Sequence, residues 1–268
     1  MDLILLLKAF ILGIVEGATE FLPVSSTGHL IIVGDLLNFN DDRGKVFEIV
    51  IQLGAVLAVV WEYRAKFSHV LVSLPKEQAS QRLVINLLIA FMPAAIFGLA
   101  FHHLIKEYLF SPITVAIALI VGGFAILLIE KNLPVADTQT VDEMDWKHAL
   151  KVGFAQCLAL FPGVSRSGAT IMGGLLFGLS RKTATEFSFF LAVPMMVAAT
   201  VFDLAKSGSL LSKDDIGIFI VGFVTAFVSA LIAVRVLIRY VSHNDFRAFA
   251  YYRIIFGILV LAYFWPSA

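Results

Sequence analysis

The chain is short of charge. Its 268 residues carry 20 Lys and Arg and 20 Asp and Glu, so charged residues make up 15% where a soluble domain carries about 25%. With 59% hydrophobic residues and a mean hydropathy of +0.91, that deficit excludes an ordinary soluble domain and points to an integral helical membrane protein. The two signs cancel, so there is no bulk polyelectrolyte attraction and no nucleic-acid partner is expected. The single cysteine, Cys157, excludes an intramolecular disulfide and reads as a small apolar helix residue. A cleavable leader is not expected either. The greasy run Leu3–Val15 is interrupted by Lys8, no A-x-A site follows it, and Glu16 and Glu20 come directly after.

What the chain does have is long apolar runs. Nearly charge-free segments at 47–61, 84–101, 112–129, 187–202, 216–234 and 254–265 approach the roughly 17–25 residues that cross a bilayer, giving about six transmembrane helices. Two more segments are broken. One spans 3–37 with its break at Pro23 and Ser25–Gly28; the other spans 150–179 with its break at Pro162–Gly168. Irregular backbone at membrane depth is tolerated only against protein or a water-filled cavity, so both are predicted to be re-entrant helix pairs.

The first break holds the densest chemistry. GIVEGATEFLPVSSTGH, Gly13 to His29, sets two carboxylates, three hydroxyls and an imidazole in an apolar context. Glu16 and Glu20 are four apart, hence on one helix face, with Gly13 and Gly17 on the same stripe. An ionisable group at membrane depth costs about 2.5–3.5 kcal/mol, so the pair calls for a compensating partner. A divalent cation, Mg2+ or Ca2+, suits two carboxylates. The second break reads PGVSRSGAT, Pro162 to Thr170. Glycines and hydroxyls around a helix start offer donors to an anion, and the Arg166 fork matches two phosphate oxygens.

The two broken segments align at an offset of 140: Gly13 with Gly153, Glu16 with Gln156, Phe21 with Phe161, Val24 with Val164, Ser25 with Ser165, Thr27 with Ser167 and Gly28 with Gly168. Glu48 and Leu53 meet Glu186 and Leu191 after a shift of two. The expectation is one membrane domain of two halves, 1–131 and 148–268, joined by an acidic linker at 132–147. Three spans per half would invert the second half relative to the first. The halves have diverged in a consistent way. Ser26 faces Arg166, His29 faces Ala169 and Glu20 faces Leu160, so one half keeps acids, hydroxyl and imidazole while the other keeps the cation. If the breaks meet, the result suits phosphoryl transfer.

The GxxEGxTEFLPVSSTGH and PGxSRSGAT strings together resemble the undecaprenyl-diphosphatase family, the bacitracin-resistance membrane phosphatases of bacteria, and the resemblance runs over nearly the whole chain. It implies removal of the terminal phosphate from a C55 polyprenyl diphosphate, which recycles the lipid carrier of cell-wall synthesis. It assigns the acidic element to Glu16 and Glu20, the hydroxyl cluster to Ser25, Ser26 and Thr27, the imidazole to His29 and the phosphate-binding arginine to Arg166 between Ser165 and Ser167. The expected catalytic set is Glu20, Ser26, His29 and Arg166. Phosphate contacts are expected from Ser25, Thr27, Gly28, Gly163, Ser165, Ser167 and Thr170, and metal contacts from Glu16 and Glu20. Ser26 and His29 both remain open as the nucleophile, and a homodimer stays open.

Four lesser expectations complete the sequence-based picture. Basic residues in 62–83 and 235–253 (Arg235, Arg239, Arg247, Arg253) place those regions in the cytoplasm, which turns the first break toward the outer, periplasmic face of a bacterial inner membrane. Glu48, Gln52 and Glu186 are structural hydrogen-bonding partners or substrate contacts. Trp61, Tyr63, Tyr263 and Trp265 fit interfacial belts. The rival function is a secondary transporter or lipid-phosphate flippase, since inverted repeats with broken helices are also a transporter signature.

Overall fold

The computed structural model describes residues 3–39, 42–109, 111–207 and 215–265, and over them it holds helices and no strand. In order these are α1 (Leu3–Thr19), α2 (Ser26–Leu36), α3 (Asp42–Glu62), α4 (Arg64–Ser73), α5 (Gln78–Tyr108), α6 (Pro112–Lys131), α7 (Trp146–Cys157), α8 (Arg166–Leu176), α9 (Arg181–Ser207), α10 (Ile216–Val241) and α11 (Arg247–Phe264). Five of them, α5, α6, α9, α10 and α11, are long and apolar enough to cross a membrane; α3, bent by 73° into α4, adds a sixth where that pair is counted as one span. The chain is an integral membrane protein, with five or six spans among the described residues.

Both broken segments occur where the sequence interrupts them, between α1 and α2 and between α7 and α8. Span ends differ from the expectation. Helix α10 continues to Val241 and α11 starts at Arg247, so the charges between the apolar runs are largely helical. A helix need not stop where hydropathy does if its charges find partners, as Arg235 finds Glu62 at 2.7 Å. The 62–83 region is not a plain loop either. It contains α4, whose Leu71 and Val72 are exposed.

Lipid tails are as apolar as leucine, so helices in a bilayer associate through close packing of small residues. The Gly13–Gly17 stripe does this for α1. A Cβ on Gly13 would meet the Thr225 side chain at 3.0 Å, and one on Gly17 would run into Ser229 and the Ala226 carbonyl of α10. Gly153 of α7 lies as tightly against the backbone of Ala90 on α5. The main helix pairings are α1 with α10, α3 with α10, α5 with α7, α3 with α9 and α6 with α11.

One face is tied together by polar contacts. Glu130 at the end of α6 accepts from Arg181 of α9 at 2.5 Å and from the Phe246 N–H ahead of α11 at 2.8 Å. The linker joins the same face. Lys66 pairs with Asp142 at 2.6 Å, Asn86 donates to the Met144 carbonyl at 2.9 Å, and the Ser180 N–H donates to Thr138 O at 3.0 Å.

Candidate active site

Each break is a turn that ends on a serine in the left-handed region. Ser25 (φ 69°) precedes α2 and Ser165 (φ 76°) precedes α8. Side chains other than glycine resist this conformation at about 1–3 kcal/mol, and such strain gathers at functional sites. The two serines then behave differently. Ser165 Oγ accepts the Gly168 N–H at 3.1 Å and so caps α8. The Ser25 side chain caps nothing, which leaves the first-turn N–H groups of α2 for a ligand.

The breaks touch. Ser167 Oγ donates to the Leu22 carbonyl at 2.7 Å, linking second to first. Arg166 Nη2 donates to Glu20 Oε1 at 3.5 Å, and Arg166 Nη1 donates to the Ser188 carbonyl at 2.9 Å. The guanidinium carbon sits 5.8 Å from the centre of the Phe21 ring. The Ser26 hydroxyl donates to Glu20 Oε2. One carboxylate is thus gripped by a hydroxyl from the first break and a cation from the second. A cavity of about 210 Å³ opens on this group. Its polar side is Glu20, Ser25, Ser26, Thr27, Gln52, Gln156, Gly163, Ser165 and Arg166; its apolar side includes Ala94, Leu160, Phe161, Met195, Met196 and Ala199.

Five expected contacts do not line that cavity. Thr170 is buried behind Arg166, and its hydroxyl is shared between Arg166 O at 2.9 Å and Ser188 Oγ at 2.7 Å. Ser167 is fully buried and occupied by Leu22 and Ser165. Gly28 packs on α6, where a Cβ would come within 3.0 Å of Leu119. His29 points away from the cavity. Its Nδ1 lies 2.8 Å from Ser25 O, its Nε2 lies 2.6 Å from Tyr252 OH, and its ring stacks on Phe256 at 4.1 Å. A carbonyl on Nδ1 requires the proton there, so Nε2 accepts from the tyrosine. Glu16 is buried one turn behind Glu20, with Glu20, Glu48 and Arg166 as its charged neighbours and no hydrogen-bond partner for either carboxylate oxygen. Of the three uncertain polar residues, Gln52 lines the cavity, while Glu48 and Glu186 do not. The Tyr63 ring packs edge-on against Phe190 at 4.9 Å.

The sequence reading missed Tyr252 and Arg253. Arg253 was expected among the cytoplasmic charges, yet it is 1% exposed in the centre of the bundle. The signal was available: an arginine between Tyr251-Tyr252 and Ile254-Ile255 in an apolar helix must find partners inside the protein.

The family model described as bacitracin resistance protein BacA matches residues 9–259. The chain belongs to the BacA family. Family relatives carry the name undecaprenyl-diphosphatase. That from Methylobacillus flagellatus is 64% identical across 99% of this chain and 100% of its own length. Those from Nitrosospira multiformis and Nitrosomonas europaea are 65% and 62% identical, each across 97% of this chain and 96% and 95% of their own.

Proposed function

We propose that this BacA-family chain is a membrane phosphatase that hydrolyses undecaprenyl diphosphate to the monophosphate and inorganic phosphate, the activity its relatives are named for. The carrying observation is the Ser26–Glu20–Arg166 contact inside a cavity with one polar and one apolar wall. The polar wall fits a diphosphate and the apolar wall a prenyl chain. The names of the relatives favour this reading over the transporter or flippase.

In the proposed mechanism the Ser26 hydroxyl attacks the terminal phosphorus. The Oγ–P bond forms, the bond to the bridging oxygen breaks, and the prenyl monophosphate leaves. Glu20, already hydrogen-bonded to that hydroxyl, takes its proton. Arg166 and the uncapped N-terminus of α2 carry the charge on the equatorial oxygens. Water then cleaves the phosphoserine, releasing inorganic phosphate and restoring the hydroxyl. His29 is less suited to attack, since both ring nitrogens are engaged away from the cavity.

The donor set fits a divalent cation. Glu16 offers two unpartnered buried carboxylate oxygens next to Glu20, and magnesium is commonly held by one or two carboxylates together with substrate phosphates. Among the described residues no group of three or more His, Cys, Asp or Glu is arranged to hold a metal. Such a cation would neutralise diphosphate charge. We further read the chain as two inverted halves, supported by pairings that exchange between them: α1 packs on α10 as α7 packs on α5, while α3–α9 and α6–α11 join equivalent helices. The basic flank of α4 supports a cytoplasmic location for the linker face and an outward-facing first break.

The test is phosphate release by purified protein given the C55 diphosphate, with and without chelator, followed by single turnover of Ser26→Ala and His29→Ala. Expected are chelator-sensitive release and no burst from Ser26→Ala. A normal burst from Ser26→Ala would remove the serine as nucleophile, and chelator-resistant release would remove the acid pair as a cation site.

A further inference from the structure

Arg253 lies on α11, outside both broken segments, and has no ion-pair partner among the described residues. All five of its N–H donors go to backbone carbonyls. Nη1 reaches Pro23 O at 3.1 Å in the first break and Val164 O at 2.8 Å in the second. Nη2 reaches Gly163 O at 2.9 Å in the second break and Ala118 O at 3.2 Å on α6, and Nε reaches Leu119 O at 3.3 Å. One planar cation therefore holds both breaks and the helix behind them. The surroundings are shaped for it: a Cβ on Gly122 would collide with Nη2 and meet Cζ at 2.8 Å. Each break is pinned two or three residues from its reacting group, since Pro23 precedes Ser26 by three and Val164 precedes Arg166 by two.

We infer that Arg253 is the positioning residue of the site, setting the first break against the second so that Ser26, Glu20 and Arg166 face one phosphate. It touches no substrate and acts through backbone alone. Lysine cannot replace it, because an ammonium has three donors and no plane to serve carbonyls of three segments at once. The inference rests on the phosphatase reading for its kinetic arm only.

The test compares wild type with Arg253→Met, Arg253→Lys and Gly122→Ala, the last keeping the arginine while displacing its guanidinium. Steady-state kinetics on the C55 diphosphate are read beside hydrogen exchange of 20–26 and 161–168. Misplacement of about 1 Å costs on the order of 100-fold, so Arg253→Met is expected to lose about that in kcat, with KM moving far less. Arg253→Lys and Gly122→Ala are expected to fall between. In all three variants both breaks should exchange faster together while α10 keeps wild-type protection. Wild-type kcat with unchanged exchange in the breaks would overturn the inference. So would a fall in thermal stability with kcat and break protection intact. If Arg253→Met does not fold, the other two variants decide by the same criteria. Failure of wild type to release phosphate would count against the phosphatase reading alone, and the exchange arm would still decide this one.

Discussion

The two breaks have nearly the same backbone and opposite chemistry. Both end on a serine with positive φ ahead of an 11-residue helix, and both are bound by Arg253. In the second break the serine spends its side chain on the backbone, capping α8 and bonding Ser167. In the first break the matching serine leaves its helix start uncapped, and Ser26 turns to Glu20. The second break is scaffold carrying a single cation; the first holds the hydroxyl and the carboxylate. Two turns of one shape can thus yield an asymmetric site.

Variants can break this comparison at several strengths. The largest effect is expected at Arg166→Ala, which removes the cation supplied by the second break. Loss of one charge-stabilising donor costs about 10²–10³ in rate, so kcat should drop by that factor. Near-normal turnover would show that the breaks are not divided as described. Glu20→Gln keeps the shape but gives up the proton acceptor for Ser26, and a loss of about 10² in single-turnover rate, the low end of what a positioned base supplies, is expected. An unchanged rate would free Glu20 from proton transfer.

A finer contrast uses the paired serines. Ser165→Ala removes a formed cap and should cost about 0.5–2 kcal/mol in thermal unfolding, whereas Ser25→Ala removes none and should cost less. Equal losses would mean that the two turns are held alike. The smallest effect lies far from the cavity. Asp145 caps α7 by accepting the His148 N–H at 2.9 Å, which holds its carboxyl below the ordinary range. Its contribution is full above the unfolded carboxylate pKa and fades as pH falls through the lower folded value. The stability gap between wild type and Asp145→Ala should therefore narrow in acid, as followed by melting curves from neutral to acidic pH.

Much of this was legible in the sequence. The spans, the two interruptions and the meeting of Glu20 with Arg166 follow from apolar run lengths and from ionisable groups that hydrocarbon will not accept alone. Other features were hidden for a physical reason: they depend on which way a side chain turns. Nothing in PVSSTGH says that Ser26 faces the cavity while His29 turns back to stack on Phe256. Thr170 sits on the right helix and the wrong side of it. Arg253 was misread because positive charge between apolar runs ordinarily marks the cytoplasm, and only tertiary contact reveals five carbonyls waiting for it. Glu130 and Arg181 likewise lie at the edges of their runs, and their pairing is a property of the folded bundle.

The bonds made by Arg253 also bear on the order of assembly. Chains emerge from the ribosome in sequence, and α11 follows every other part of the site. Until it is in place, the carbonyls of Pro23, Gly163 and Val164 lack the guanidinium whose N–H groups they accept in the folded protein. The nascent protein would carry both turns, and the direct contacts between them, before this last common tie is added.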